Sequence, residues 1–375
     1  MKRDLIYQFI LLIIIACVAF VIITATQTNL ERLGVVSSID FLWKRAGFEI
    51  GQTLIAYDAN ATIARAFIVA LLNTLLLAFV SIICASILGL VIGISRLSSN
   101  WLVSRLATAY VEVFRNIPSL LQIFFWYFVV LRSLPRSQDS YSLFDIFYLN
   151  NRGFYFPAPI IENGVFWIAI SLILGITASF LFNSWAKKYQ YKTGLAIPDF
   201  AISLLIAICV PMLILMLVGV AWEFPQLGRF SYKGGFVFMP EFISLVVGLS
   251  MYNATYISEI VRSSFKSVSW GQTEAAMSLG LSRQMVLRLI IFPQALRTMI
   301  PPLTTVYLNL FKSTSLAAAI AYPEIISVFV GTVNNLVGQP VIIMTLTLLV
   351  YTFVSLVIAM FLHWYNRRIA FMTGN

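Results

Sequence analysis

Histidine is nearly absent from this 375-residue chain, and cysteine and charge are both scarce. The one histidine, His363, and three cysteines at 17, 84 and 209 cannot assemble a Cys/His zinc cluster or a Cys-x-x-Cys redox pair. Each cysteine stands alone in an apolar run and reads as a small buried hydrophobe. No Gly-Lys dipeptide occurs, which excludes a P-loop, because that loop needs a lysine after its last glycine to reach the phosphates. The chain therefore offers no nucleotide, cofactor or metal site of its own, and any ATP that drives it binds another subunit. Charged residues make up 11%, where a soluble domain carries about a quarter. Hydrophobic residues reach 60%, so the chain reads as a polytopic membrane protein.

The net charge of +10 comes from 25 Lys and Arg spread among apolar segments, with no basic stripe to suggest a nucleic-acid partner. A helix needs about 20 apolar residues to cross a bilayer core. Eight runs of roughly that length occur: Leu5–Ala25, Phe67–Ile94, Leu106–Leu131, Val165–Asn183, Phe200–Ala221, Phe242–Ile260, Pro302–Ala321 and Val341–Trp364. The third and seventh are weakest, interrupted by Glu112, Arg115, Pro118 and Lys312. With Lys2 and Arg3 held in the cytoplasm, alternation places Arg96, Arg105, Lys187, Lys188, Lys192, Arg262, Lys266, Arg283, Arg288, Arg297, Arg367 and Arg368 on that side too. The opposite side holds nine Lys or Arg and ten of the fifteen carboxylates. Both termini are thus expected in the cytoplasm. The first run lacks a small-x-small cleavage site and reads as an uncleaved span. Between the first two spans, Phe41–Ile55 is expected along the membrane surface.

Ionisable groups inside a span cost about 2.5–3.5 kcal/mol each, so they normally face a cavity or a partner. Three clusters stand out. Glu112 and Arg115 are three apart on one helix face and able to pair, with Pro118 bending the helix beside them. Lys312 falls near the middle of its span, too deep to snorkel, so it needs an internal carboxylate, carbonyls or water, and close-packing Ala317–Ala319 come after it. Tyr252, Tyr256 and Glu259 line one face of the sixth span. Self-neutralisation and helix–helix hydrogen bonding explain these groups about as well as a solute pathway does.

The segment from Trp270 to Pro302 reads as two short helices broken at Gly280, the second capped by Ser282 and interrupted at Pro293. It resembles the EAA loop of bacterial ABC importer permeases: Glu-Ala-Ala, three residues, Gly, nine residues, Ile, one residue, Leu-Pro. Glu274, Ala275, Ala276, Gly280, Ile290 and Pro293 match at that spacing, with Phe292 in place of the usual Leu. Further likenesses point to the polar amino-acid branch: Asn73-Thr74-Leu75, the gate-like Glu112-x-x-Arg115-x-x-Pro118-x-Leu120-x-Gln122, and Gln272 with Pro301-Pro302-Leu303 around the loop. Leu310-Phe311-Lys312-Ser313-Thr314-Ser315-Leu316 is similar too, although many relatives have Asp or Asn where Ser313 stands.

The resemblance covers Asn73 to the C-terminus and implies an all-α membrane fold. Spans two, three, six, seven and eight would form a five-helix, MetI-like core, with an N-terminal helix before it (residues 1–65) and the permease domain over 66–375. Inserted helices would occupy about 133–240 and the coupling loop 264–300. Such an insertion looks like the general L-amino-acid (Aap/Bzt) type, whose relatives carry glutamate, glutamine, aspartate and asparagine among other substrates. The implied protein is a multi-pass inner-membrane permease working by alternating access. It would pair with a second related permease, two cytoplasmic ATPase subunits holding ATP and Mg, and a periplasmic amino-acid-binding protein. Gln272, Glu274, Ala275, Ala276, Gly280, Ile290 and Pro293 would couple to the ATPases. Glu112, Arg115, Pro118, Gln122, Tyr252, Tyr256, Glu259, Lys312 and Ser315 would line or gate the pathway. An ion-gradient-driven transporter of small polar solutes is the alternative, but it calls for paired broken helices or two similar halves, and the halves of this sequence do not align. A membrane enzyme would need convergent catalytic groups, which are lacking, and a scaffold without catalysis is the bland third alternative.

Overall fold

In the computed structural model, residues 2–32, 38–159, 164–193, 199–219, 221–229 and 231–372 are described. The chain forms two compact units, one of Met1–Val130 with Glu241–Asn375 and one of Leu131–Pro240.

The first unit is helical: α1 (Lys2–Arg32), α2 (Ile63–Ser95), α3 (Trp101–Asn116) and α4 (Ser119–Phe124), then, after the second unit, α7 (Pro240–Lys266), α8 (Trp270–Ser278), α9 (Arg283–Val286), α10 (Phe292–Ser313), α11 (Asn334–Val337) and α12 (Pro340–Met372). Helix α2 starts where the Thr62 hydroxyl accepts from the Arg65 N–H, and it buries a stripe of small residues. Two of these, Gly89 and Gly93, form a G-x-x-x-G step against α7. A Cβ on Gly89 would lie 2.6 Å from Ile257 Cβ, and one on Gly93 2.6 Å from Val261 Cβ. Only glycine permits this backbone approach, so the α2–α7 crossing is written into those two positions.

The third apolar run is not a straight span. Helices α3 and α4 meet at Pro118 with a bend of 102°. The break strands carbonyls at the end of α3, and Gln122, itself buried, satisfies two of them: its Nε2 donates to the carbonyls of Phe114 (2.8 Å) and Ile117 (3.0 Å). Across the bend Gly248 of α7 packs on Ile123, where an added Cβ would lie 3.0 Å from Ile123 Cγ1.

The segment expected along the membrane surface packs part of its apolar side against the helices. Phe41, Ala46 and Ile50 are buried with Val69, Phe329 and Ile343, since their apolar side chains find a helix surface to cover. Pro293 does not interrupt the helical path either. A wide π-type turn over Leu287–Ile291 precedes α10, and Pro293 falls in its first turn, where a missing N–H leaves no intrahelical bond unmade. Pro301 and Pro302 sit inside the same helix.

The second unit corrects the all-α expectation, for here the chain is mostly, not wholly, helical. The long loop after α4 and the shorter one before α7 pair with each other. Strands β1 (Tyr141–Leu143), β2 (Phe147–Asn150), β3 (Gly153–Phe156) and β4 (Ala158–Pro159) precede the helices α5 (Gly164–Thr193) and α6 (Asp199–Leu217). Strands β5 (Trp222–Glu223), β6 (Gln226–Leu227), β7 (Tyr232–Lys233) and β8 (Phe236–Phe238) come after them. The antiparallel order is β1-β2-β3-β8, with β4 on β5 and β6 on β7. Aromatic and β-branched residues in β3 (Phe154-Tyr155-Phe156) and β8 (Phe236-Val237-Phe238) favour strands, in runs too short for span counting. Helices α5 and α6 pack closely at Gly175, whose added Cβ would meet Pro211 at 2.6 Å, and the Ser179 hydroxyl donates to the Ser203 carbonyl at 2.8 Å.

Among the described residues three helices are long and apolar enough to cross a membrane: Ile63–Ser95, Ile170–Gln190 and Pro340–Trp364, or four if the bent pair is one span. Helix α6 contributes a shorter apolar stretch, Ile202–Leu217, while α7 and α10 are diluted by polar groups. The cysteines expected to be buried are not: Cys17 and Cys209 are exposed on apolar helices and Cys84 is half-buried.

Gly93→Val should lower the unfolding midpoint of the purified protein by the equivalent of about 1–3 kcal/mol through overpacking. Ile87→Ala, on the exposed face of the same helix, should stay within about 0.5 kcal/mol. Gln122→Ala should cost about 1–3 kcal/mol by leaving the two carbonyls unsatisfied, and an unchanged midpoint would refute the clamp.

Candidate functional site

Three groups of polar side chains interrupt the apolar bundle. The first is the loop joining α7 to α10. In α8, Glu274 accepts a hydrogen bond from Trp270 Nε1 at 2.8 Å, one turn earlier. Gln272, Glu274 and Ala275 are exposed, whereas Ala276 is buried at 5% and tacks the helix down. Gly280 adopts φ +80°, a left-handed conformation that ends α8, and a Cβ there would meet nothing. The Ser282 hydroxyl then caps α9 by accepting from the Met285 N–H at 3.4 Å. Val286 is buried at 2%, and half-buried Ile290 and Pro293 continue the path into α10. The loop is thus a knob rooted at Ala276 and Val286. Its outer surface carries Trp270, Met277 and Leu279, the last 82% exposed. Gln272, Glu274 and Arg283 rim this apolar surface.

The second group lies on α3 and α7. Glu112 and Arg115, expected to be able to pair, form no ion pair among the described residues. The Arg115 guanidinium sits over the Tyr256 ring, 5.1 Å from its centroid, and Glu112 is exposed. The Tyr252 and Tyr256 hydroxyls share a hydrogen bond of 2.9 Å, so the expected tyrosine stripe is one connected face. Glu259 belongs to a different arrangement. Its two oxygens accept from Arg96 and Arg262, each at 2.6 Å, tying the end of α2 to α7. Arg96 was legible only as a topology charge; its partner lies 163 positions away.

Lys312, read as mid-span and in need of an internal partner, has an exposed side chain. Helix α10 ends at Ser313 and a tight 3-10 turn covers Thr314–Ile320, which puts Lys312 in the last helical turn. There its charge complements the helix dipole, and its side chain is exposed. The Ser315 hydroxyl donates to the Lys312 carbonyl at 2.8 Å. No hydrogen bond or ion pair joins the Lys312 side chain to Arg115, Tyr256 or Glu259 among the described residues. Pro118 and Gln122 form the bend between α3 and α4.

The third group was missed by sequence reading apart from Asn73 and Thr74. The chain leaves the 3-10 turn through Ala321, at φ +57°, and Tyr322-Pro323-Glu324 run through the interior. Asn73 Nδ2 donates to the carbonyls of Gln52 (2.8 Å) and Pro323 (2.9 Å). The Thr74 hydroxyl accepts from the Ile325 N–H at 3.2 Å. Glu324 is fully buried and caps the next helical segment: Oε1 accepts from the Ser327 N–H (2.8 Å) and Oε2 from the Tyr351 hydroxyl (2.9 Å). The available signal was an acidic residue directly after proline and before an apolar run, an N-terminal capping pattern.

The model of the binding-protein-dependent transport system inner membrane component family matches residues 193–370. The Escherichia coli (strain K12) protein YhdX is 45% identical over 368 residues, covering 97% of this chain and 94% of its own. The general L-amino acid transport system permease protein AapQ of Rhizobium johnstonii is 43% identical over 370 residues, covering 98% and 92%. The glutamate/glutamine/aspartate/asparagine transport system permease protein BztB of Rhodobacter capsulatus is 35% identical over 398 residues, covering 98% and 93%. Since these likenesses run over nearly the whole length of each chain, the protein belongs to the inner-membrane permeases of binding-protein-dependent amino-acid ABC transporters, of the AapQ/BztB type, in which ATP hydrolysis resides on a separate subunit.

Proposed function

We propose that this chain forms half of the membrane pathway of an ATP-driven importer that brings polar L-amino acids, glutamate, glutamine, aspartate and asparagine among them, into the cytoplasm by alternating access. The substrate range rests on the named relatives, and the mechanism rests on one observation, the rooted knob at Gly280. Two cytoplasmic ATPase subunits bearing ATP and Mg would drive the cycle, one gripping this knob and the other a second, related permease. A periplasmic amino-acid-binding protein would deliver the substrate. Eight spans with both termini in the cytoplasm, a permease domain over 66–375 and inserted helices near 133–240 complete the architecture.

In this reading α8 seats in a groove of the ATPase. Closure of the ATPase pair pushes the knob, and the buried contacts of Ala276 and Val286 pass the push along α9 into α10 and across to α7. A two-state pathway moved from 1:99 to 99:1 needs about 5.5 kcal/mol of differential binding, which nucleotide-driven closure supplies once per cycle. The pathway face is the one bearing Tyr252, Tyr256 and Arg115. Among the described residues Arg115 has its planar cation free of any carboxylate and held by a ring, so it is the group that meets the substrate's carboxylate. Exposed Glu112, one helical turn from Arg115, and exposed Lys312 with half-buried Ser315 act in gating, while Glu259 ties α7 to the end of α2.

Gly280→Val forces a β-branched residue into a left-handed turn and should cut ATP-dependent uptake at least about tenfold, equivalent to about 1.4 kcal/mol of lost coupling, with assembly of the complex retained. Glu274→Arg should act in the same direction. Normal uptake by both variants would count against the knob as the site of coupling. Arg115→Ala, assayed for glutamate uptake in proteoliposomes, should lower the rate roughly tenfold by removing a charge-assisted hydrogen bond. An unchanged rate in an assembled complex would remove Arg115 from the pathway.

A further inference from the structure

The sheet of the second unit is inside out for a water-exposed ribbon. Its inner face carries the sheet's buried polar groups beside Tyr148 and Val237: Asn150 and Tyr155 are buried, Asn150 Nδ2 donates to the Ser140 hydroxyl at 2.9 Å, and the Tyr155 and Ser231 hydroxyls share a hydrogen bond of 2.9 Å. Strand alternation sends the apolar side chains to the opposite face. Register pairs Tyr141 with Leu149, Leu143 with Phe147 and Leu149 with Phe154, so these residues and Phe156 share one face. None carries a charge. Tyr141 and Leu143 are exposed and the others half-exposed, and the Phe147 and Phe154 rings stack with centroids 6.1 Å apart.

The tip of the β1–β2 hairpin adds a strained residue. The Leu143 carbonyl accepts from the Ile146 N–H, and the two central residues, Phe144 and Asp145, both have positive φ, +57° and +52°. Asparagine or glycine takes this conformation without difficulty, whereas a bulky aromatic is opposed by it. Phe144 is nonetheless held there 81% exposed, in the position that presents its ring furthest from the sheet.

The tethers say what covers this face. Four residues separate Pro159 of β4 from Gly164 at the start of α5, and four separate Leu217, the end of α6, from Trp222 of β5. Fully extended, each tether reaches at most about 17 Å. β4 and β5 form a two-stranded sheet of their own, with Pro159 opposite Trp222, and a single residue joins β4 to β3 of the four-stranded sheet. With α5 and α6 in the bilayer, the sheet is held at the headgroup layer, where Tyr, Trp and Phe side chains settle. A partner that docks and leaves in each cycle meets a surface about as polar as any other, which this face is not.

We propose that the uncharged face of this sheet and the Phe144 tip are a lipid-contact surface, seated in the interfacial layer of the bilayer and anchoring the inserted unit there. This rests on α5 and α6 being spans and is independent of the transported substrate.

The test uses the assembled transporter in lipid nanodiscs, with Cys17, Cys84 and Cys209 replaced by alanine. Phe144→Cys and, separately, Leu143→Cys carry an environment-sensitive nitrobenzoxadiazole label. Quenching by lipids spin-labelled near the headgroup is compared with quenching by aqueous iodide, with and without the system's binding protein. Severalfold stronger quenching by the lipid than by iodide at both positions, unaltered by the binding protein, is the expected result. Strong iodide quenching would overturn the proposal by placing the tip in water. Protection from both quenchers, or protection appearing only with the binding protein, would overturn it in favour of a protein occupant. The second position decides the matter if the first label disturbs assembly.

Discussion

A helix that breaks within an apolar bundle strands backbone N–H and C=O groups that have no water to bond, and the breaks in this permease are closed by specific side chains. At Pro118 the closing group is Gln122, reaching the carbonyls of Phe114 and Ile117. At the turn through Tyr322 and Pro323, Asn73 and Thr74 of α2 bond the chain on its way past, and Glu324 caps the next segment. At Gly280 the left-handed backbone and the Ser282 cap do the same for the exposed knob. Without these closures the bends would cost more than the packing returns, and the bundle would revert to straight spans with no re-aimed polar face.

That constraint separates the polar groups into two kinds. Gln122, Asn73, Thr74 and Glu324 are buried and spent on the backbone. Glu259 is spent on Arg96 and Arg262. Among the described residues, Arg115 on its tyrosine ring, the tyrosine pair beside it, exposed Glu112 and Lys312, and the exposed residues of the knob are not spent in this way. We propose that these groups meet substrate or partner outside the chain, at the tyrosine face and at the knob. Close contact at Gly89 and Gly93 leaves α2 and α7 no slack. A displacement entering at the knob therefore has to be answered by rearrangement of the bundle rather than by compression of one contact.

Some of this was legible in the sequence because it is local. Gly280 and Ser282 come from capping rules, Glu274-Ala275-Ala276 from the resemblance to the EAA loop, and the tyrosine face from the 3.6-residue period. Other features depend on partners far along the chain. Composition places Lys312 mid-span, but only the end of α10 at Ser313 explains its exposure. Glu112 and Arg115 have the spacing of a pair, yet the Tyr256 ring offered by α7 competes successfully for the guanidinium. The Phe-rich strands of the second unit were hidden because their apolar residues come in runs of only three within a strand, while span counting looks for long ones. Pro293 reads as a breaker until the wide turn before it is seen to take up the change in pitch.

The proposed mechanism stands on the knob being the point where a separate motor grips the permease. The most direct test is the accessibility of position 279, the most exposed apolar residue of the knob. Leu279→Cys, in a chain lacking Cys17, Cys84 and Cys209, would be treated with a membrane-impermeant maleimide in intact cells and in inverted vesicles, with the ATPase subunits present or stripped away. A gripped knob predicts no labelling from outside the cell, ready labelling in stripped inverted vesicles, and protection when the ATPase is bound. Labelling in intact cells, or labelling indifferent to the ATPase, would contradict it.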